Sequence, residues 1–251
     1  MGTVRLYIDQ PLCAGQAAAL DGAQAHYLGN VMRLAPGAEI EVFNGRDGVW
    51  SAQIAALSKR AGGSVMPMAQ AGPQRMPPDL WLAFAPLKKA RTDFIVEKAT
   101  ELGCARILPV TTDYTNAERI ARERLQAHAV EAAEQCGGSY VPEVAALQPL
   151  DRLLANLGDR RVMWADEQRA GEALGLPAQG DSHPEGAPWV ILIGPEGGFS
   201  DAERQRIAAC RSVTTVSLGP RILRADTAAV AAITLWQATL GDWMPGPCPA
   251  I

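Results

Sequence analysis

Two stretches near the carboxyl end constrain this chain more than anything else in it. In ILIGPEGGFSDAER (191–204) a wholly apolar run stops at Gly-Pro-Glu-Gly-Gly, and a helix start follows at once. In SLGPRILRADTAAV (217–230) a second apolar run ends in Leu-Gly-Pro, passes through Arg-Ile-Leu-Arg, and again leads into a helix start. The run WVILI (189–193) has no polar alternation, as expected of a strand buried on both faces of a parallel sheet. Loops at the carboxyl ends of such strands face the crevice in which open α/β sheets hold their ligands.

The first loop carries its own chemistry. Ser200 and Glu203 stand at the spacing of a capping box, so a helix should begin just after Ser200. Gly194, Gly197 and Gly198 allow close backbone approach, while Pro195 removes one amide donor. A phosphate cradle wants free amides and a Lys; this loop has an acid, Glu196, instead. The G-x-G-x-x-G spacing is also absent, so dinucleotide binding and P-loop hydrolysis are excluded. A ligand with hydroxyl, ammonium or sulfonium groups suits the loop better. In the second loop, Ile222 and Leu223 either line an apolar slot of the kind an adenine ring fills, or plug the core beneath.

The rest of the chain agrees with two differently built parts. Residues 80–251 alternate strand and helix: LWLAFAP (80–86), a helix over 90–103, ARILPV (105–110), a long helix over 117–136, then RVMWA (161–165), WVILI and VTTVSL (213–218). That rhythm predicts a parallel sheet covered by helices. Residues 1–72 instead read as short antiparallel strands at 4–9, 38–44, 49–57 and 64–69, with one helix over 21–34 and a hairpin turn at Gly45–Gly48. Such a module suggests a small barrel of the type that grips RNA. The Pro-rich segment 73–79 is the linker, and 171–188 reads as a surface loop.

Composition narrows the class. No apolar run is long enough for a membrane span, and MGTVRLYIDQ lacks the basic-then-apolar order of a secretory signal. The five cysteines, Cys13, Cys104, Cys136, Cys210 and Cys248, form neither a ladder nor a metal knuckle. The expectation is a cytoplasmic, metal-free protein. The net charge of -4 hides an uneven distribution: residues 131–200 hold 4 Lys+Arg against 11 Asp+Glu, while residues 1–130 hold 14 against 12. The acidity is local, so a polyanionic partner is not excluded.

The pair IGPEGGFS and LGPRILRADTA closely resembles the bacterial 16S rRNA (uracil-N3)-methyltransferases, members of the SPOUT class that use S-adenosylmethionine. The similarity extends to RTDFIVEKATELG (91–103), EAAEQCGGSYVPEV (131–144) and LGNVMRLAPGAEIEVFNG (28–45), nearly the whole chain. The family commonly has Glu at Asp226 and often Arg at Gly138. The resemblance implies a PUA-like β-barrel over 1–72, and over 80–251 a parallel sheet ending in a trefoil knot. It also implies a homodimer with a shared active site, and the small ribosomal subunit as partner.

Carried over by position, the resemblance places the cofactor in three loops. These are Trp164, Ala165 and Asp166; Gly194, Pro195, Glu196 and Gly197; and Ser217, Leu218, Gly219, Ile222, Leu223 and Arg224. Arg224 and Arg221 are the candidates for stabilising a uracil anion, and Glu196 or Asp226 for taking the N3 proton. Glu196 equally suits anchoring loop amides or a ribose, and Arg221 a phosphate or a partner subunit. Lys88, Lys89 and Arg91 form the densest basic group and are candidate RNA contacts; Arg5 and Arg33 join them through the resemblance alone. Two other readings remain open at this point. One is a SPOUT enzyme acting on ribose 2′-hydroxyls or tRNA guanine; the other is a non-catalytic rRNA-binding assembly factor.

Overall fold

The structure is a computed structural model that describes residues 3–58, 62–117, 119–172 and 186–243. Most of the anticipated surface loop (173–185) and Cys248 lie outside the described residues. The chain divides into two compact units. One comprises residues 1–76 together with 133–141, the other 77–132 with 142–251. The break after Met76 falls inside the Pro-rich segment, but 133–141 departs from the expected division, which gave everything past residue 79 to the second unit.

In the first unit the elements are β1 (Arg5–Tyr7), β2 (Ala18–Leu20), α1 (Gly22–His26), β3 (Glu39–Phe43), β4 (Val49–Ser58) and β5 (Gly62–Gly72). The sheet order is β1-β3-β4-β5-β2. All pairs are antiparallel except β1–β3, which is parallel, a correction to the all-antiparallel expectation. The β4–β5 register shifts at three places, and bulges of that kind curl a sheet around its core. That core holds Leu6, Ile8, Leu28, Ile40, Val42, Ile54 and Val65. The helix expected over 21–34 is shorter: Asp21 caps it in a capping box, and it widens into a π turn over Tyr27–Val31. Gly29, a poor helix former, sits in that turn.

Arg5 is a structural residue here rather than an open RNA contact. Its Nε donates to Glu41 at 3.0 Å, its Nη2 to the Gly138 carbonyl at 2.9 Å and its Nη1 to the Ala133 carbonyl at 3.2 Å. Its guanidinium also lies over the Phe43 ring. With its donors used inward, it ties 133–141 to the first unit. Arg33 is exposed and takes the left-handed conformation (φ 56°) just past the π turn.

In the second unit, β6 (Leu80–Phe84) leads to α2 (Lys89–Glu101), β7 (Arg106–Thr111), α3 (Arg122–Cys136, whose last residues from Ala133 belong to the first unit), β8 (Glu143–Val144), β9 (Gln148–Pro149) and α4 (Leu150–Ala155). Then come β10 (Arg161–Ala165), β11 (Trp189–Ile193), α5 (Asp201–Ala208), β12 (Val213–Val216) and α6 (Ala225–Leu240). The strands lie in the order β12-β10-β11-β6-β7-β8, all pairs parallel, with β9 alongside β7. β11 is buried at every residue, as its apolar run predicts. Each fully buried Leu or Ile of this sheet contributes about 2 kcal/mol.

Helix α3 begins at Arg122, later than the sequence pattern suggests. The hydroxyl of Thr115 accepts from the Thr112 amide at 2.9 Å and closes a local turn ahead of the helix. In α6, Ile233 and Trp236 are buried, so they serve the core rather than an interface. Among the described residues no helix is long and apolar enough to cross a membrane.

Candidate functional site

The strand order places the carboxyl ends of β10, β11 and β12 at one edge, next to that of β6. The chain leaves β6 towards β7 but leaves β11 for the other side, where β12 lies beyond β10. Loops diverging in this way open a crevice, the usual ligand position in such sheets. Here it is a cleft of about 280 Å³. Its walls are Ala165, Asp166, Glu167 and Ala170 after β10; Ile193 to Glu196 and Gly198 after β11; and Leu218, Gly219 and Arg221 to Arg224 after β12. Ala225 and Ala228, on the first turn of α6, complete the lining.

Each loop has an identifiable brace. The Asp166 amide donates to the Val216 carbonyl at 3.2 Å, and the Gly171 amide to the Gly219 carbonyl at 3.0 Å, so the first and third loops are bonded to each other. In the second loop the Gly198 amide closes a turn on the Pro195 carbonyl at 2.9 Å. Gly198 has φ +73°, and a Cβ there would run into the Glu167 carboxylate. A Cβ on Gly194 would come within 2.8 Å of the Phe199 ring. Small residues are therefore a steric requirement of both positions.

Beneath the cleft lies a charged pair. Arg204 donates to Asp166 at 2.6 Å and approaches Glu167 at 3.5 Å, and its guanidinium stacks over the Trp164 ring. The two side chains are only 15% and 5% exposed. The second Asp166 oxygen accepts from the Gln168 amide at 3.0 Å. Arg204 closes the first stretch quoted above, yet nothing in its spacing distinguishes it from an ordinary solvated helix residue.

The anticipated cofactor residues divide into two groups. Ala165, Asp166, Gly194, Pro195, Glu196, Leu218, Gly219, Ile222, Leu223 and Arg224 all line the cleft. Trp164, Gly197 and Ser217 do not. Trp164 is buried edge-on against Phe199, Gly197 abuts Tyr114, and the Ser217 hydroxyl accepts from the Gly219 amide at 3.3 Å to shape its own loop. The two readings of the third loop part company here. Ile222 is 75% exposed and is no core plug, whereas Leu223 is half-buried. The candidate cofactor residues did not include Glu167, Ala170, Ile193, Gly198, Ala225 and Ala228; apart from the acid Glu167 these are small or apolar residues that carry no motif of their own.

The candidate charges separate as well. Arg221 and Arg224 are exposed at the cleft wall and carry no side-chain partner among the described residues. Glu196 is held by Arg91, whose Nε also lies 3.7 Å from Asp226. Arg91 thus bridges the β11 loop and the start of α6. Lys88 and Lys89, at the N-terminus of α2, are exposed.

The geometry agrees with known proteins. Residues 74–237 match the family model of the RNA methyltransferase domain, and residues 20–61 that of the RNA methyltransferase PUA domain. The ribosomal RNA small subunit methyltransferase E of Rickettsia conorii is 31% identical over 91% of this chain and 93% of its own length. This chain belongs to that family. Its Bacillus subtilis relative of the same name is 30% identical over 86% of this chain and 87% of that protein. Among solved structures, the Neisseria gonorrhoeae family member bound to S-adenosyl methionine superposes with a TM-score of 0.85. The two share 28% identity over 97% of this chain and 100% of that one. A Legionella pneumophila methyltransferase in complex with the same cofactor gives a TM-score of 0.86 at 26% identity, over 96% of this chain and all of that one. Family membership extends through both units, since the relatives are covered almost end to end.

Proposed function

We propose that this chain transfers a methyl group from S-adenosylmethionine to N3 of a uridine in the 16S rRNA of the small ribosomal subunit. The observation that carries this reading is the cleft itself: three braced loops that join acid, apolar and small residues, with two arginines at the wall that have no side-chain partner among the described residues.

The donor set fits the cofactor. Ile222, Leu223 and Leu218 offer apolar surface to an adenine ring, Ala165, Ala170 and Gly219 leave room for it, and the Glu167 carboxylate is an acceptor for ribose hydroxyls or an ammonium. When bound, S-adenosylmethionine supplies an activated methyl group on a sulfonium. The chain's own task is to align the nucleophile, a contribution of up to about 7–11 kcal/mol. Arg224 and Arg221 stabilise the negative charge that uracil gains as N3 loses its proton. Glu196, neutralised by Arg91, holds the second loop in shape; the proton leaves to water or to Asp226. Because N3 lies on the pairing edge, the base has to be unpaired on entry.

Lys88 and Lys89 contact RNA phosphate. They sit at the positive end of α2, where cations are electrostatically disfavoured and an anion is welcome. Arg33, exposed in the first unit, plays the same part. The family's trefoil knot, its homodimer and a cytoplasmic location belong to this reading too. A stable, fully active monomer in light scattering would remove the dimer.

Gly198→Ala is expected to weaken S-adenosylmethionine binding by about tenfold in calorimetry. A side chain at positive φ costs about 1–2 kcal/mol, and this one also displaces Glu167. The direct test of function is nucleoside mass spectrometry on small subunits lacking the modification, after incubation with protein and cofactor. The expected product is 3-methyluridine. A 2′-O-methylated nucleoside would instead assign ribose chemistry, and cofactor binding without any product would favour the assembly-factor reading.

A further inference from the structure

Glu203 does more than cap α5. Its carboxylate is 1% exposed as a residue; one oxygen accepts from the Ser200 amide at 2.9 Å, completing the capping box, and the other accepts from the Asp113 amide at 2.8 Å. The Ser200 hydroxyl donates to the Asp113 carboxylate at 2.5 Å, and Thr112 and Thr115 close the same turn on themselves. A buried acid and the Ser200 hydroxyl therefore clamp residues 112–115, the loop after β7, onto the start of α5. Loops with such bracing are seldom mobile, since each bond to a charged acceptor is worth about 1.5–3 kcal/mol.

What this braced loop displays is a tyrosine. Tyr114 is 52% exposed, and its Cβ would lie 3.3 Å from a Cβ on Gly197, the glycine between the cleft residues Glu196 and Gly198. The base of an exposed ring thus rests against the cleft's second loop, in a fit that even a methyl group on Gly197 would crowd. The hydroxyl makes no hydrogen bond among the described residues. A large, rigidly mounted aromatic face beside a cleft that accepts an unpaired base has one evident use.

We infer that Tyr114 is a stacking platform for an unpaired nucleobase of the RNA entering the cleft, a positioning residue for the methylation. This rests on the RNA-methylating reading above. The ring orders the strand so that the target base reaches Arg224 and the methyl donor; it takes no part in proton or methyl transfer.

The test compares Tyr114→Ala and Tyr114→Phe in the full chain, with fluorescein-labelled oligouridine as the binding probe and small subunits as substrate. Tyr114→Ala should weaken oligouridine binding and raise KM for the subunit by roughly 5- to 150-fold, the range for loss of one base–aromatic stack. Affinity for S-adenosylmethionine and the melting temperature should stay unchanged, and Tyr114→Phe should behave as the parent chain. Unchanged oligouridine binding in Tyr114→Ala overturns the proposal. So does a Phe variant as weak as the Ala variant, which would assign the role to the hydroxyl, or a parallel loss of cofactor affinity, which would make the residue structural. If the parent chain loses oligouridine binding on Tyr114→Ala yet yields no methylated nucleoside, the stack stands and the methylation reading falls.

Discussion

Replacing Arg204 with methionine should lower the melting temperature by roughly 6–12 °C. Asp166 is almost fully buried, and Arg204 is its charge partner at 2.6 Å. Methionine keeps most of the apolar stem over Trp164 but removes the charge, leaving a carboxylate under the cleft with only the Gln168 amide to satisfy it. Breaking one side of a buried pair costs about 3–5 kcal/mol. The slight exposure of Arg204 favours the lower end, and for a chain of this size each kcal/mol is worth roughly 2–4 °C. The second substitution Asp166→Asn, added to the first, should restore part of the loss, because the stranded charge is then gone. Scanning calorimetry of the single and double variants checks both statements. A single variant within about 2 °C of the parent chain would mean that Asp166 has other support.

Arg224→Ala should reduce kcat by about 100-fold or more while leaving S-adenosylmethionine affinity within about twofold, as expected for one donor that acts on developing charge. Arg224 stands just before α6, lines the cleft, and its guanidinium has no partner among the described residues. A cation kept unpaired at a ligand cleft is available to a ligand. Arg221, three residues earlier on the same wall, should show a smaller effect concentrated in KM for RNA if it clamps phosphate. Single-turnover rates against RNA and calorimetry with cofactor separate the two. A normal kcat with weakened RNA affinity would reassign Arg224 to an RNA clamp.

The elements of the second unit were legible because its strands are buried on both faces and its loops are rich in glycine and proline. WVILI reads as a central strand, and Ser200 and Glu203 form the capping box their spacing promises. The cleft's glycines were visible for the same local reason, whereas the exposure of Ile222, left open by the sequence, was decided by the structure. Roles that depend on charge pairing were not. Arg5 and Arg91 look like free cations in sequence, yet one is turned inward by Glu41 and the carbonyls of 133–141, and the other by Glu196 and Asp226. The resemblance places Trp164 in the cleft, but its ring is buried against Phe199 and covered by the Arg204 guanidinium, contacts made by residues far along the chain.

By itself, then, the sequence determined the kinds of local structure and the place of the ligand loops, because apolar periodicity, caps and turn residues act over a few neighbouring positions. The tertiary structure alone decided which charges are occupied and which are free. Asp113 and Glu203 are 90 residues apart, Arg91 and Glu196 are 105, and Arg5 and Gly138 are 133. An ion pair or hydrogen bond acts over a few ångströms of space, and separation along the chain leaves no local trace of it.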